Sequence, residues 1–193
     1  MADLYRGRPL LHPASRSAWR SWLSRHHADT DGAWLARWTK ASGRSPLDYE
    51  AIVEEALCFG WIDGLVNTLD DGRQAHLMTP RRKGSPWSRS NKDRVDRLVA
   101  DGRMTEAGRA AIRAAKADGT WSMQDAAEAL IEPDELAAAL DANPDARRQW
   151  DGFSPSPRKA LIWWVMSAKR PETRARRVAQ IVDEAAHGRK ANS

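Results

Sequence analysis

The chain has 193 residues, 41% hydrophobic and 30% charged, with a net charge of +5 and a pI of about 9.7. That balance excludes a disordered chain and predicts one domain, or one domain with a small appendage. Cys58 is the only cysteine, which excludes an internal disulfide and a cysteine-based zinc site. No apolar run reaches the roughly 18 residues a membrane span needs, and Met1 to Pro13 lack the apolar core of a secretory signal. The expectation is a cytoplasmic protein in which Cys58, set among Ala56, Leu57 and Phe59, is a buried small hydrophobe. Ten Trp against two Tyr and two Phe make tryptophan the main aromatic payload, so each buried indole N–H needs a partner.

In chain order, Ser15 predicts an N-cap for a helix whose inner stripe is Trp19, Trp22, Leu23 and His26. Trp34 to Lys40 fits a short helix or a strand, with the balance toward strand. Gly43 and Ser45-Pro46 predict a turn that opens a helix running to about Phe59, with Ile52, Val53, Ala56 and Phe59 inward and Gly60 as its stop. Ile62 to Leu69 and Arg73 to Met78 flank Asp70-Asp71-Gly72, a hairpin signal. Ser88 or Ser90 can cap the next helix, with Val95, Leu98 and Val99 inside and Gly102 as its stop. Thr105 caps another, ending at Gly119. Ser122 to Ile131 reads as a linker with some helix, and short helices can begin at Pro133 and Pro144. Ser156-Pro157 and Pro171 open two longer helices. The predicted fold is α+β and predominantly helical, with helices around a small antiparallel β-hairpin or three-stranded sheet and a C-terminal helical section. Residues 1–125 form the first domain, with the sheet and a basic loop, and residues 126–193 the C-terminal section packed on it.

Charge is unevenly spread. Residues 73–97 hold eight basic and two acidic residues, residues 98–155 six and eleven, and residues 156–193 nine and three. Either the blocks neutralise one another in the fold, or the basic blocks face an anionic partner.

The residue mixture from Glu55 to Asn91 is the most site-like stretch. Asp63 follows Trp61-Ile62, and the loop Arg81-Arg82-Lys83 lies between Pro80 and Pro86. Guanidinium forks match carboxylate or phosphate, Trp87 can stack a ring or an arginine plane, and Ser88 at a helix start leaves N–H groups near the loop. Asp63, Arg81, Arg82, Trp87, Ser88 and Asn91 are therefore candidate ligand-binding residues for a small anionic or aromatic ligand. Asp63 can equally pin the hairpin to Arg81 or Arg82. The second basic set is Lys169, Arg170, Arg174 and Arg177, an alternative nucleic-acid contact unsupported by any nucleic-acid motif. A Ser88-His76-Asp63 triad can be assembled on paper, but nothing in the spacing argues for it. The chain has no P-loop, dinucleotide fingerprint or His-x-x-x-His pair, so no catalytic residue, cofactor or metal is assigned.

These residues resemble the YdeI/OmpD-associated (OmdA-type, bacteriocin-protection) family. The resemblance rests on Ala56 to Gly64, on Thr79-Pro80-Arg81-Arg82 with Trp87-Ser88 and Asn91, on Gly102-Arg103-Met104 with Ala107-Gly108 and Ala115-Lys116, and on Ser156 to Lys159 with Ser167 to Arg174. It runs from about Trp19 to Gly188. Leu77-Met78 depart from the Arg-Phe often found before Thr-Pro in the family. The resemblance implies a role in tolerance of bacteriocins or antimicrobial peptides, with a link to outer-membrane protein expression and no established reaction. A docking module for a protein partner is a further alternative, with Trp163 or Trp164 outside the core as its mark.

Overall fold

The computed structural model describes residues 3–39, 42, 47–69 and 72–191. The described chain is α+β and predominantly helical, as expected, and divides into two compact units, Met1–Trp121 and Ser122–Ser193. The first unit contains β1 (Leu4–Tyr5), β2 (Arg8–Leu11), α1 (Arg16–His26), β3 (Ala33–Trp38), α2 (Tyr49–Cys58), β4 (Trp61–Thr68), β5 (Arg73–Pro80), α3 (Arg89–Ala100) and α4 (Glu106–Ala117). The second contains α5 (Asp125–Glu128), α6 (Asp134–Asp141), α7 (Pro144–Asp151), α8 (Pro155–Met166) and α9 (Pro171–Ala186).

The sheet is larger than the expected hairpin or three strands. Its five strands run β1-β2-β3-β5-β4, with β2 parallel to β3 and the other pairs antiparallel. The two added strands are short and lie at the N-terminus, where four residues of Arg-Pro-Leu-Leu are too few to show a period. Trp34 to Trp38 is a strand, with Leu35 opposite His76 and Ala33 opposite Met78. Opposed residues share a face, so Ala33, Leu35 and Met78 enter the core together, and His76 and Asp63 lie on that same face. A bulge between Asp63 and Val66 displaces Gly64 and Leu65 from the ladder. The expected turn residues Asp70 and Asp71 lie outside the described residues, as do Gly43, Ser45 and Pro46. The helix they were expected to open starts at Tyr49, with Asp48 as its cap.

The first core holds Trp19, Leu23, Leu35, Ile52, Leu57, Cys58, Trp61, Met78, Trp87 and Leu98, all nearly fully buried. Trp19 donates its indole N–H to the Ile52 carbonyl at 3.1 Å, and Trp61 donates to that of His27 at 3.1 Å. Those bonds remove the cost of burying the polar edge of each ring. Around this core α2 presents three carboxylates to arginines. Glu55, 1% exposed, accepts from Arg16 at 2.6 Å, Arg20 at 2.6 Å and Arg103. Glu54 accepts from Arg16, and Glu50 holds Arg94 at 2.7 Å. Burial works against the Arg16 charge, but its bonds to Glu55 and Glu54 outweigh that and raise its pKa.

Gly60 ends α2 with φ +74, and α4 is brought against that end by Gly108. A Cβ at Gly108 would collide with the Cys58 carbonyl and the Met104 sulfur. Thr105, the α4 N-cap, donates its hydroxyl to the same Cys58 carbonyl at 2.5 Å. In the second unit Glu132 is the polar centre, accepting from Arg147 at 3.0 Å, Arg158 at 3.1 Å and the Trp150 indole at 2.7 Å. Its core is Leu136, Leu140, Trp150, Ile162, Val165, Ile181 and Ala185. α8 starts at Pro155, one residue before the expected Ser156-Pro157 opening.

Two expected outcomes follow from this packing. Gly108→Ala lowers stability by about 1–3 kcal/mol through overpacking, read as a lower urea midpoint at unchanged slope. Glu55→Ala removes the one carboxylate paired with Arg20 among the described residues, leaves Arg16 and Arg103 with Glu54, and costs about 1.5–3 kcal/mol, measured the same way; a loss below about 0.5 kcal/mol would show that those ion pairs behave as ordinary surface pairs.

Candidate functional site

The segment after β5 is a short loop tied at three points. The Arg81 N–H donates to the Gly60 carbonyl at 3.0 Å, the Ser85 N–H to the Arg82 carbonyl at 3.1 Å, and the Trp87 N–H to the Thr120 carbonyl at 3.3 Å. Gly84 turns the loop with φ +84. Asp118 fastens it from the C-terminal end of α4. Its carboxylate accepts from the Thr120 hydroxyl at 2.6 Å, from the Thr120 N–H at 3.1 Å and from the Gly84 N–H, bonds that hold its pKa below the usual carboxylate value. The loop and α4 enclose a cleft of about 540 Å³, with Arg81, Arg82, Lys83, Ser85 and Trp87 on one side and Ala111, Ala114, Ala117, Asp118 and Thr120 on the other.

Arg81 is the centre of this cleft. Its guanidinium lies 3.8 Å from the centroid of the Trp87 ring and donates to the Pro86 carbonyl at 2.7 Å. Trp87 is 2% exposed, its ring 5.0 Å from that of Trp121. It is therefore a platform for Arg81, already covered on that face. No carboxylate pairs with Arg81 among the described residues. Burial lowers its pKa to about 10, with the charge of Asp63 acting in the opposite direction. It stays protonated at neutral pH, a half-buried cation whose remaining N–H groups open on the cleft.

The other expected site residues divide. Arg82 lines the cleft and is exposed. Asp63 is engaged by the hydroxyl of Tyr49, with no ion pair to Arg81 or Arg82 among the described residues. The expected Asp63–arginine clamp is absent because α2 delivers Tyr49 to the carboxylate first. Burial, then the bond to Asp63, pushes the Tyr49 pKa up to about 12. Ser88 is the N-cap of α3, accepting from the Asn91 N–H at 3.4 Å. The Asn91 side-chain oxygen accepts from Arg94 at 2.9 Å, and Arg94 is bound to Glu50. Ser88 and Asn91 thus build the wall behind the loop and do not line the cleft. Cys58 is fully buried, and burial raises its pKa. The His76 ring is tilted against that of Tyr49, centroids 5.3 Å apart, and both its ring nitrogens are buried without a hydrogen-bond partner, so it makes no bond to Ser88 or Asp63 as a triad would need.

Sequence reasoning missed Tyr49, Ala111, Ala114, Asp118 and Thr120. The small residues of α4 carry no motif; only the docking of α4 shows that one side of them faces the loop. In the second unit, Arg174 pairs with Glu135, and Arg177 donates to the Trp164 carbonyl and to the Ser167 hydroxyl at 3.1 Å. Lys169 and Arg170 are exposed at the α8–α9 turn. Trp163 and Trp164 are half-buried against the second core, Trp164 beneath Arg177 at 5.0 Å. The basic block 156–193 pairs with the acidic middle stretch through Arg158, Lys159 and Arg174. Block 73–97 instead reaches back to Glu50 and Glu54 through Arg94 and Arg97.

Residues 11–111, more than half of the chain, match the family described as Domain of unknown function (DUF8412). Residues 129–188 match the OmdA family, described as Bacteriocin-protection, YdeI or OmpD-Associated. The resemblance expected from Ser156 to Arg174 is borne out there, over part of the chain, while the stretches 56–64 and 79–91 fall inside the other match. No curated protein and no solved structure matches the chain. Among the described residues no helix is long and apolar enough to cross a membrane, and no cluster of His, Cys, Asp and Glu suits a metal ion.

His76 makes the acid side of the stability profile predictable. Burial and then the Arg37 charge lower its pKa from 6.5, with Asp63 opposing. The unfolded chain therefore takes up the proton first. The stabilisation is complete above about pH 6.5 and is lost as the pH falls through the folded-state value. Urea titrations at pH 7 and pH 5 are expected to show this loss, and His76→Gln to reduce it. An identical pH dependence in the variant would assign the loss to the carboxylates.

Proposed function

We propose that this chain, which belongs to the DUF8412 family, binds a small anionic ligand in the cleft between the Arg81 loop and α4, and that it serves in protection against bacteriocins. The observation that carries the first part is Arg81. A half-buried guanidinium with no carboxylate partner is costly to hold, and here it is kept in place by Trp87 and the Pro86 carbonyl. A carboxylate or phosphate in the cleft would offset that cost through a charge-assisted fork. Arg82 and Lys83 add positive charge at the rim, and the alanine wall of α4 accepts a flat or apolar ligand body. Asp118 is already saturated by Thr120 and Gly84, so its charge is turned toward the loop. The second part rests on the OmdA match at the C-terminal end and comes from that family's description alone. The natural setting would be the cytoplasm.

The test is thermal unfolding with citrate or pyrophosphate as the probe, at ionic strength matched with potassium chloride. A site filled at about a hundred times its Kd adds about 2.7 kcal/mol to stability. The wild type is expected to gain such a shift and Arg81→Gln to lose it; equal shifts in both proteins would end the proposal. In bacteriocin-challenged cells, survival is expected with the wild type and not with Arg81→Gln.

A further inference from the structure

A second cleft lies on the opposite side of α4, and the first does not account for it. It is a groove of about 370 Å³ between α3 and α4. Its floor is apolar: Val95 and Val99, one turn apart on α3, face Ile112 of α4, and Trp121 closes one end. Val99 is 39% exposed, one of the few large hydrophobic side chains of this unit left open to water. The rim on the α4 side is cationic. Arg109, Arg113 and Lys116 recur at i, i+4 and i+7 and so form one stripe about 10 Å long. Asp96 is the sole acidic residue among those that line the groove.

The groove is held open by fixed parts. The Trp121 N–H donates to the Ala115 carbonyl at 3.0 Å. Its ring is 5.0 Å from that of Trp87, with the Lys116 and Lys92 ammonium groups 5.2 Å and 5.6 Å from its centroid. The side chain of half-buried Arg109 makes no hydrogen bond or ion pair among the described residues, and Arg113 is bound to Glu106, an exposed pair of the kind worth little. Both guanidinium groups are thus available for exchange onto a ligand.

We propose that the α3–α4 groove is a binding site for an amphiphilic organic acid, a molecule with an aromatic or short aliphatic body and a carboxylate or sulfonate head. The body lies on Val95, Val99 and Ile112 against the Trp121 ring. The head meets Arg109 and Arg113. Size, apolar floor and a few convergent polar groups are the usual features of a small-molecule site, and the excess of cations over Asp96 selects an anion over a cation. This site is separate from the Arg81 cleft and favours a different ligand, since its floor is built of valine, isoleucine and tryptophan side chains whereas the apolar part of that cleft's α4 wall is alanine.

The experiment uses the full chain and two dyes of nearly the same body. One, 8-anilino-1-naphthalenesulfonate, carries the anionic head; the other, N-phenyl-1-naphthylamine, does not. Fluorescence titrations compare the wild type with Arg109→Glu/Arg113→Glu, Val99→Asp and Arg81→Gln, each first shown to unfold cooperatively in urea. Losing the charged contacts is expected to weaken the anionic dye about tenfold or more and to leave the neutral dye nearly unchanged. Val99→Asp weakens both dyes, and Arg81→Gln weakens neither. The inference is overturned if the wild type binds no anionic dye, if charge reversal weakens the two dyes equally, or if Arg81→Gln removes the binding. If the double charge reversal fails to fold, Lys116→Glu on the exposed end of the stripe gives the same comparison, and unchanged binding of the anionic dye there overturns the inference as well.

Discussion

The N-terminal unit depends on the carboxylate face of α2. Glu50, Glu54 and Glu55 lie within two turns of a helix that is otherwise mostly core, and Glu55 is buried almost completely. A carboxylate that deep is tolerable only when its lone pairs are filled. Arg16 and Arg20 come from α1, Arg94 and Arg97 from α3, and Arg103 from the turn before α4. Three separate parts of the chain are thereby fixed to one helix. The consequence reaches the cleft. Because α3 and α4 are anchored to α2, the Ser88 cap and the Asp118 turn arrive at positions where the Arg81 loop can be tied between them.

That arrangement leaves an asymmetry of charge. Arg16 and Arg20 of α1 and the arginines of α3 find carboxylates; Arg81 does not. Asp63, the carboxylate whose charge reaches Arg81, is bonded to Tyr49. Arg81 instead packs on Trp87, whose ring supplies a weak electrostatic partner. A cation held this way keeps its hydrogen-bonding capacity for something outside the protein. The same helix, α4, then separates two clefts of different character, one cationic and loop-built, the other apolar with a basic margin.

Much of the fold was legible in the residues. Ser15, Ser88 and Thr105 are caps because a short side-chain oxygen beside a helical stripe has one good use. Gly60, Gly102, Gly119 and Gly188 stop helices in a backbone region that favours glycine. The short strands β1 and β2 were not legible, since two to four residues carry no period, and β2 pairs with β3 across α1. Arg81 and Arg82 could be seen as an exposed basic pair between two prolines. That only Arg81 would be half-buried on Trp87, and that Ser88 and Asn91 would turn inward, could not.

The sequence by itself determined most local states: where the longer helices and the hairpin lie, which glycines stop the helices, that Cys58 sits in an apolar run, and that positive charge gathers around residues 73–97. These follow from periodicity and from residue chemistry within a few positions. The tertiary structure alone decided the partners. Asp63 went to Tyr49 across 14 residues, Glu55 to Arg103 across 48, and Arg97 to Glu54 across 43. Charged groups bind whichever opposite charge the packing brings within reach, and packing is set by the whole core. Which arginines are left without a carboxylate is therefore a property of the fold.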